Sequence, residues 1–101
     1  MANALTDAQI NDALDALPGW RYDQGKLRCD HEFSGFKEAM SFLVRVAFHA
    51  EEQGHHPEIY NVYNKVTLSL STHDAGGKVT EKDVKLAKTI AGFDWRAPKG
   101  A

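Results

Sequence analysis

The chain has one cysteine, no run of lysine or arginine, and no apolar stretch long enough to cross a bilayer. Each absence excludes something. A lone thiol, Cys29, cannot close an internal disulfide, so the sequence suits a reducing compartment. A formal net charge of −2 without a basic block argues against DNA or RNA as the main partner, because the phosphate backbone demands a cationic face. A membrane helix needs about 20 apolar residues, so none is expected. Residues 1–13 lack the basic-then-apolar pattern of a secretion signal, and the expected location is the cytoplasm. Also missing are a Gly-rich nucleotide loop, a Gly-x-Ser-x-Gly elbow, a His-Glu-x-x-His pair and a Cys-x-x-Cys pair. Nucleotide-driven, nucleophilic and metal chemistry are therefore without a supporting motif. No repeat, low-complexity tract or linker divides the 101 residues, which are expected to form one domain over 1–101.

What is present reads as α-β-β-α-β-β-α. Thr6 with Gln9 is a capping-box signature, and Ile10, Ala13, Leu14 and Leu17 give the helix that follows an apolar face, ended by Pro18-Gly19. Trp20 to Tyr22 and Lys26 to Phe33 read as strands about a turn at Asp23-Gln24-Gly25. Leu27, Cys29, His31 and Phe33 share one face of the second strand; Arg28, Asp30 and Glu32 share the other. Ile59 to Tyr63 and Val66 to His73 form another pair, with Val66, Leu68, Leu70 and Thr72 on one side and Thr67, Ser69, Ser71 and His73 on the other. Thr80 and Asp83 open the last helix, which buries Val84, Ala87, Ile90 and Ala91 and ends at Gly92, leaving Pro98 to Ala101 as a frayed tail. One apolar and one polar sheet face predict an α+β fold: a four-stranded antiparallel sheet with three helices on one face.

The central helix, predicted from Ser34 or Gly35 to about Gln53, carries more apolar surface than one core requires. At 100° per residue, Glu38, Ser41, Arg45, His49 and Glu52 occupy an arc of about 80°, and apolar residues spread over roughly 240°. A helix resting on one core needs a stripe of about 100° or somewhat more. The surplus is expected to meet a second subunit, or else to be buried between the sheet and the other helices.

His55-His56-Pro57 is the strongest chemical signal. Histidine can give and take protons near neutral pH. Proline disfavours helix at the residue before it, so the pair sits at a helix exit where both rings can enter one concavity. Glu51, four residues upstream, falls within the apolar sector and is expected to orient His55, unless it is a last-turn carboxylate frayed into solvent. His73, at the predicted strand end, is the third imidazole. Asp83 is expected to cap its helix and also to contact the site. Trp20, Tyr60 and Tyr63 read as packing residues, and His31 and His49 as structural. The set supports general acid–base chemistry on a small molecule without metal or covalent intermediate.

Glu51-x-x-x-His55-His56-Pro57, Tyr63-Asn64-Lys65-Val66, Leu70-Ser71-Thr72-His73 and Thr80-x-x-Asp83, in that order, resemble the pterin-4a-carbinolamine dehydratases, whose animal members also serve as dimerization cofactors of a homeodomain transcription factor. The resemblance covers nearly the whole chain, including Pro18-Gly19-Trp20 and Phe33-x-x-Phe36. The chain departs at Gly54, where many members carry Asp, and by one extra residue around Gly76-Gly77-Lys78. The resemblance implies dehydration of 4a-hydroxytetrahydropterin to quinonoid dihydropterin, recycling the cofactor of aromatic amino-acid hydroxylases. It implies that the pterin is substrate and that no other cofactor is needed. His55, His56 and His73, with Glu51, are the implied catalytic set; Pro57, Thr72, Asp74, Ala75 and Asp83 join the histidines in substrate contact. A homotetramer or homodimer through the long helices is implied, and a helical protein partner by family analogy.

Overall fold

The Thr6 capping box opens helix α1 (Asp7–Leu14): the Thr6 hydroxyl accepts the Gln9 N–H at 3.2 Å and Gln9 Oε1 accepts the Thr6 N–H at 2.9 Å, so two of the orphan donors at the helix start are satisfied. The computed structural model describes residues 3–93. α1 ends earlier than its apolar spacing suggested. Leu17 lies past the helix in a turn, its N–H on the Leu14 carbonyl, yet is buried. Strands β1 (Trp20–Asp23) and β2 (Lys26–Glu32) pair antiparallel through a two-residue turn, Gln24-Gly25, both at positive φ, as a tight hairpin requires.

Helix α2 (Phe36–Gln53) follows, then β3 (Glu58–Val62), β4 (Lys65–Leu70), a short 3₁₀ turn (His73–Ala75) and helix α3 (Glu81–Gly92). The antiparallel sheet runs β1-β2-β4-β3, so the two hairpins meet along β2 and β4, with Cys29 opposite Leu68 and His31 opposite Val66. That register places Leu27, Cys29, His31, Val66, Leu68 and Leu70 on one buried face. Opposite them, Thr67 donates to Asp30 at 2.7 Å and Arg21 pairs with the same carboxylate, which together hold Asp30 below the usual carboxylate range. The order and fold class are as expected.

The differences are local. β4 stops at Leu70, three residues short of His73. The chain turns back instead, with Thr72 bridging Lys78 and Gly76 and Gly77 both left-handed. In α3, Leu86 is buried and Ala91 is exposed. Tyr60 and Tyr63 are exposed on the hairpin at the sheet edge and take no part in the core, whereas Trp20 does. The expected tail from Pro98 lies outside the described residues.

Helix α2 faces the sheet with Ala39, Phe42, Val46 and Ala50, which span about 80° at 100° per residue. Phe36, Val44 and Phe48 remain exposed, Phe48 by 74%. The alternative of burial between sheet and helices is thereby excluded for this part of the helix. Phe42 is the centre of the inward face: its ring lies 4.7 Å from His31, 5.0 Å from Phe33 and 5.9 Å from Phe93. Truncating a fully buried Phe typically costs about 3–5 kcal/mol. Phe42→Ala is expected to lower stability by that amount in urea unfolding; a loss below about 1 kcal/mol would mean that α2 is not seated by this ring.

Candidate active site

The site begins where α2 ends. Gly54 takes φ 63°, a left-handed conformation that glycine adopts without strain, and its N–H returns to the Ala50 and Glu51 carbonyls. This reversal sends His55 inward and leaves His56 at the surface. His55 is 9% exposed. Its Nε2 lies 2.5 Å from Asp83 Oδ1.

Asp83 has no exposed surface. As the third residue of α3 it accepts the Thr80 N–H on Oδ2 at 2.8 Å, completing the predicted capping box, and the same oxygen accepts the Thr72 hydroxyl at 2.8 Å. The Lys82 N–H donates to Thr80 Oγ1 at 3.2 Å, and the Thr80 and Thr72 hydroxyls are 2.6 Å apart. Counting protons orients the network. Thr72 spends its single proton on Asp83, so Thr80 donates to Thr72. A carboxylate receiving these bonds only accepts, so the proton shared with His55 sits on the ring's Nε2. In the neutral ring, Nδ1 is then the nitrogen with a free lone pair.

A cavity of about 340 Å³ opens over this network, within the range of small-molecule sites. His55, His56 and His73 all line it, as do Thr72 and Asp74. The three imidazoles converge although His73 sits in the 3₁₀ turn and not on the strand. Pro57 and Ala75 are not among the lining residues. Nor is Asp83, whose full burial places it behind His55 and corrects the expectation of direct substrate contact.

Glu51 is also corrected. Its carboxylate meets His56, with Nε2 to Oε1 at 2.9 Å, and its side chain is 81% exposed. The reason is geometric. Glu51 lies about 135° around α2 from the centre of the sheet-facing stripe, in the apolar sector that the chain leaves uncovered. The orienting carboxylate of His55 is Asp83.

Gly54 and Ser71 also line the cavity, as does Lys82, which the sequence reading passed over. Lys82 carried a signal: a cation in the first turn opposes the helix dipole, so its place there is not explained by helix stability. Ser71 carried none. Among the described residues, no group of three or more His, Cys, Asp or Glu is placed to hold a metal ion, and no helix is long and apolar enough to cross a membrane.

Known proteins of one family resemble this chain along nearly its whole length. The family model described as Pterin 4 alpha carbinolamine dehydratase matches residues 3–93. Relatives in Opitutus terrae (50% identical, covering 94% of this chain and 98% of that one) and Christiangramia forsetii (48%, covering 89% and 92%) both carry the name "Putative pterin-4-alpha-carbinolamine dehydratase". A crystal structure from Brucella melitensis, described as a transcriptional coactivator/pterin dehydratase, superposes with a TM-score of 0.83 at 38% identity, over 89% of this chain and 97% of that one. A pterin dehydratase-like protein identified as a RuBisCO assembly factor in the alpha-carboxysome superposes with a TM-score of 0.64 at 22% identity, over 78% and 93%, and shows the fold alone. With its family model matched over nearly its whole length and its close relatives sharing one name, the chain belongs to the pterin 4 alpha carbinolamine dehydratase family, a family of enzymes.

Proposed function

We propose that the chain removes water from 4a-hydroxytetrahydropterin to give quinonoid dihydropterin, by proton transfer through histidines and without a resident metal or cofactor. In the cytoplasm this would return the tetrahydropterin used by aromatic amino-acid hydroxylases. The observation that supports the reading most is the buried Asp83–His55 pair beneath a cavity that His56 and His73 also line. In the reaction the N5–H proton passes to a base, the C4a=N5 double bond forms, and the C4a–O bond breaks as the hydroxyl takes a proton from an acid. One proton is received and one is given, and exchange with solvent resets both groups. We assign the base to His55 through Nδ1, because Asp83 occupies the other nitrogen. His73 is the acid. His56, held by Glu51, binds the ring.

General acid–base groups contribute about 10²- to 10⁴-fold each. With 4a-hydroxypterin generated by a hydroxylase, His55→Ala and His73→Ala are expected to lose that much of the rate above the spontaneous reaction, and EDTA to leave it intact. Retention of the wild-type rate by both variants would refute the assignment, and strong inhibition by EDTA would put a metal back in the mechanism.

Asp83 acts through His55, so its variant separates positioning from binding. Asp83→Asn keeps shape but cannot accept every donor now aimed at the carboxylate. A loss of about 10²-fold or more in kcat is expected with KM little changed, as for a misplaced imidazole tautomer. Nitrogen NMR of the free enzyme should show the His55 proton leaving Nε2. An unchanged tautomer with full activity would remove Asp83 from the mechanism.

We further propose that the exposed face of α2 is covered by a second copy of the chain, in a homodimer or homotetramer. Phe36, Val44 and Phe48 form an apolar sector larger than scattered surface residues need explain. Phe48→Glu, which disturbs no buried contact of the monomer, should convert the particle to a smaller one in light scattering. An unchanged mass would show that this face does not carry the assembly.

A further inference from the structure

The uncovered face of α2 carries an ordered seam. Lys37, Ser41, Val44, Phe48 and Glu51 recur at alternating intervals of four and three residues, the spacing of two helices packed along their length. At 100° per residue they span an arc of about 80°, opposite the stripe that meets the sheet. All five are exposed. We propose that two copies of α2 pair antiparallel about a two-fold axis at Val44, and that Lys37 of the partner subunit binds Glu51 and so positions His56 in the cavity, an inference that rests on the dehydratase and second-copy readings above.

Charge and size select this register. With the axis at Val44, Lys37 faces Glu51, Met40 faces Phe48 and Ser41 faces Ala47, since each pair lies equally far on either side of residue 44. Opposite charges meet, two large apolar side chains meet, and two small ones let the helix axes approach. A parallel pair would set Lys37 on Lys37 and Glu51 on Glu51. An antiparallel pair moved two residues along would set Glu51 on Ser41 and leave Lys37 past the end of the helix. The helix dipoles agree with the axis at Val44. Lys37 stands in the first turn of α2 and Glu51 in the last, where each opposes the macrodipole of its own helix. In the antiparallel pair each lies beside the opposite end of the neighbouring helix, where its charge is favoured.

Glu51 connects the seam to the site. Its Oε1 holds His56 Nε2 at 2.9 Å, and His56 lines the cavity. Both side chains are largely exposed, so within one chain little restricts them. An ammonium on Glu51 Oε2 fixes the carboxylate from the other side, and the imidazole with it. Lys37 and Glu51 of one helix are about 21 Å apart, so Lys37 serves the partner subunit's site and not its own. It is a positioning residue, acting through Glu51 and His56 on the binding of the ring.

Cross-linking reads the register without any substrate. Under a mild oxidant, Val44→Cys should join two chains through a disulfide, because position 44 faces itself. Lys37→Cys should not, because the two copies of position 37 lie about 21 Å apart. The native thiol, Cys29, is buried. Linking at 37, or none at 44, would overturn the antiparallel pair. Turnover reads the coupling. Lys37→Met should raise KM about tenfold, the value of one net hydrogen bond, with kcat within about twofold of wild type, and Lys37→Arg should keep the wild-type KM. Co-expression of Lys37→Met chains with His55→Ala chains should bring back a fraction with wild-type KM, since the inactive chain supplies Lys37 to its partner. An unchanged KM in Lys37→Met, or no such fraction in the mixture, would overturn the positioning role and leave the dehydratase reading standing. A wild-type protein inactive on the carbinolamine would overturn that reading, and the positioning role with it.

Discussion

One buried carboxylate governs the geometry of the site. The two oxygens of Asp83 receive hydrogen bonds from the exit of α2 through His55, from the chain leaving β4 through Thr72, and from the start of α3 through Thr80. Taking a carboxylate out of water costs several kcal/mol even after relaxation, and removing one partner of such a pair typically costs about 3–5 kcal/mol. The three segments therefore either converge with their donors aligned or leave a charge uncompensated in the interior. That constraint fixes the floor of the cavity and the tautomer of the imidazole above it.

Asp83 carries two duties that are usually separate. Its Oδ2 completes a helix cap, which any helix of this type can use. Its Oδ1 is thereby aimed at His55. The cap fixes Asp83 locally, after a turn in which two left-handed glycines lie between the bridged Thr72 and Lys78. A similar economy holds at Gly54. The left-handed turn is a backbone requirement that glycine meets without strain, and the same turn aims His55 inward.

The elements were legible in the sequence because their signals are local. Two capping boxes, a tight hairpin turn and strict alternation along β2 and β4 each depend on residues within a few positions of one another. The site was legible in part, and the parts that failed are non-local. Periodicity placed Glu51 in an apolar sector but could not tell which half of that sector faces the chain's own sheet. His73 followed the alternation of β4 in sequence, yet the strand ends at Leu70 because the chain must turn back to pair Thr72 with Lys78. Asp83 was correctly read as a cap, but its reach to a histidine 28 residues away is a tertiary fact.

Glu51 shows how closely the uncovered face and the site are joined. It stands in the middle of the free apolar sector of α2, between Val44, Ala47 and Phe48, and it holds His56 at 2.9 Å. A second copy laid over that sector would also lie over the Glu51–His56 pair, removing water from a hydrogen bond that is worth little while exposed. The same contact that satisfies the apolar surplus would then stiffen one wall of the cavity. Such a contact would answer the excess hydrophobicity of α2 and the placement of His56 with one surface.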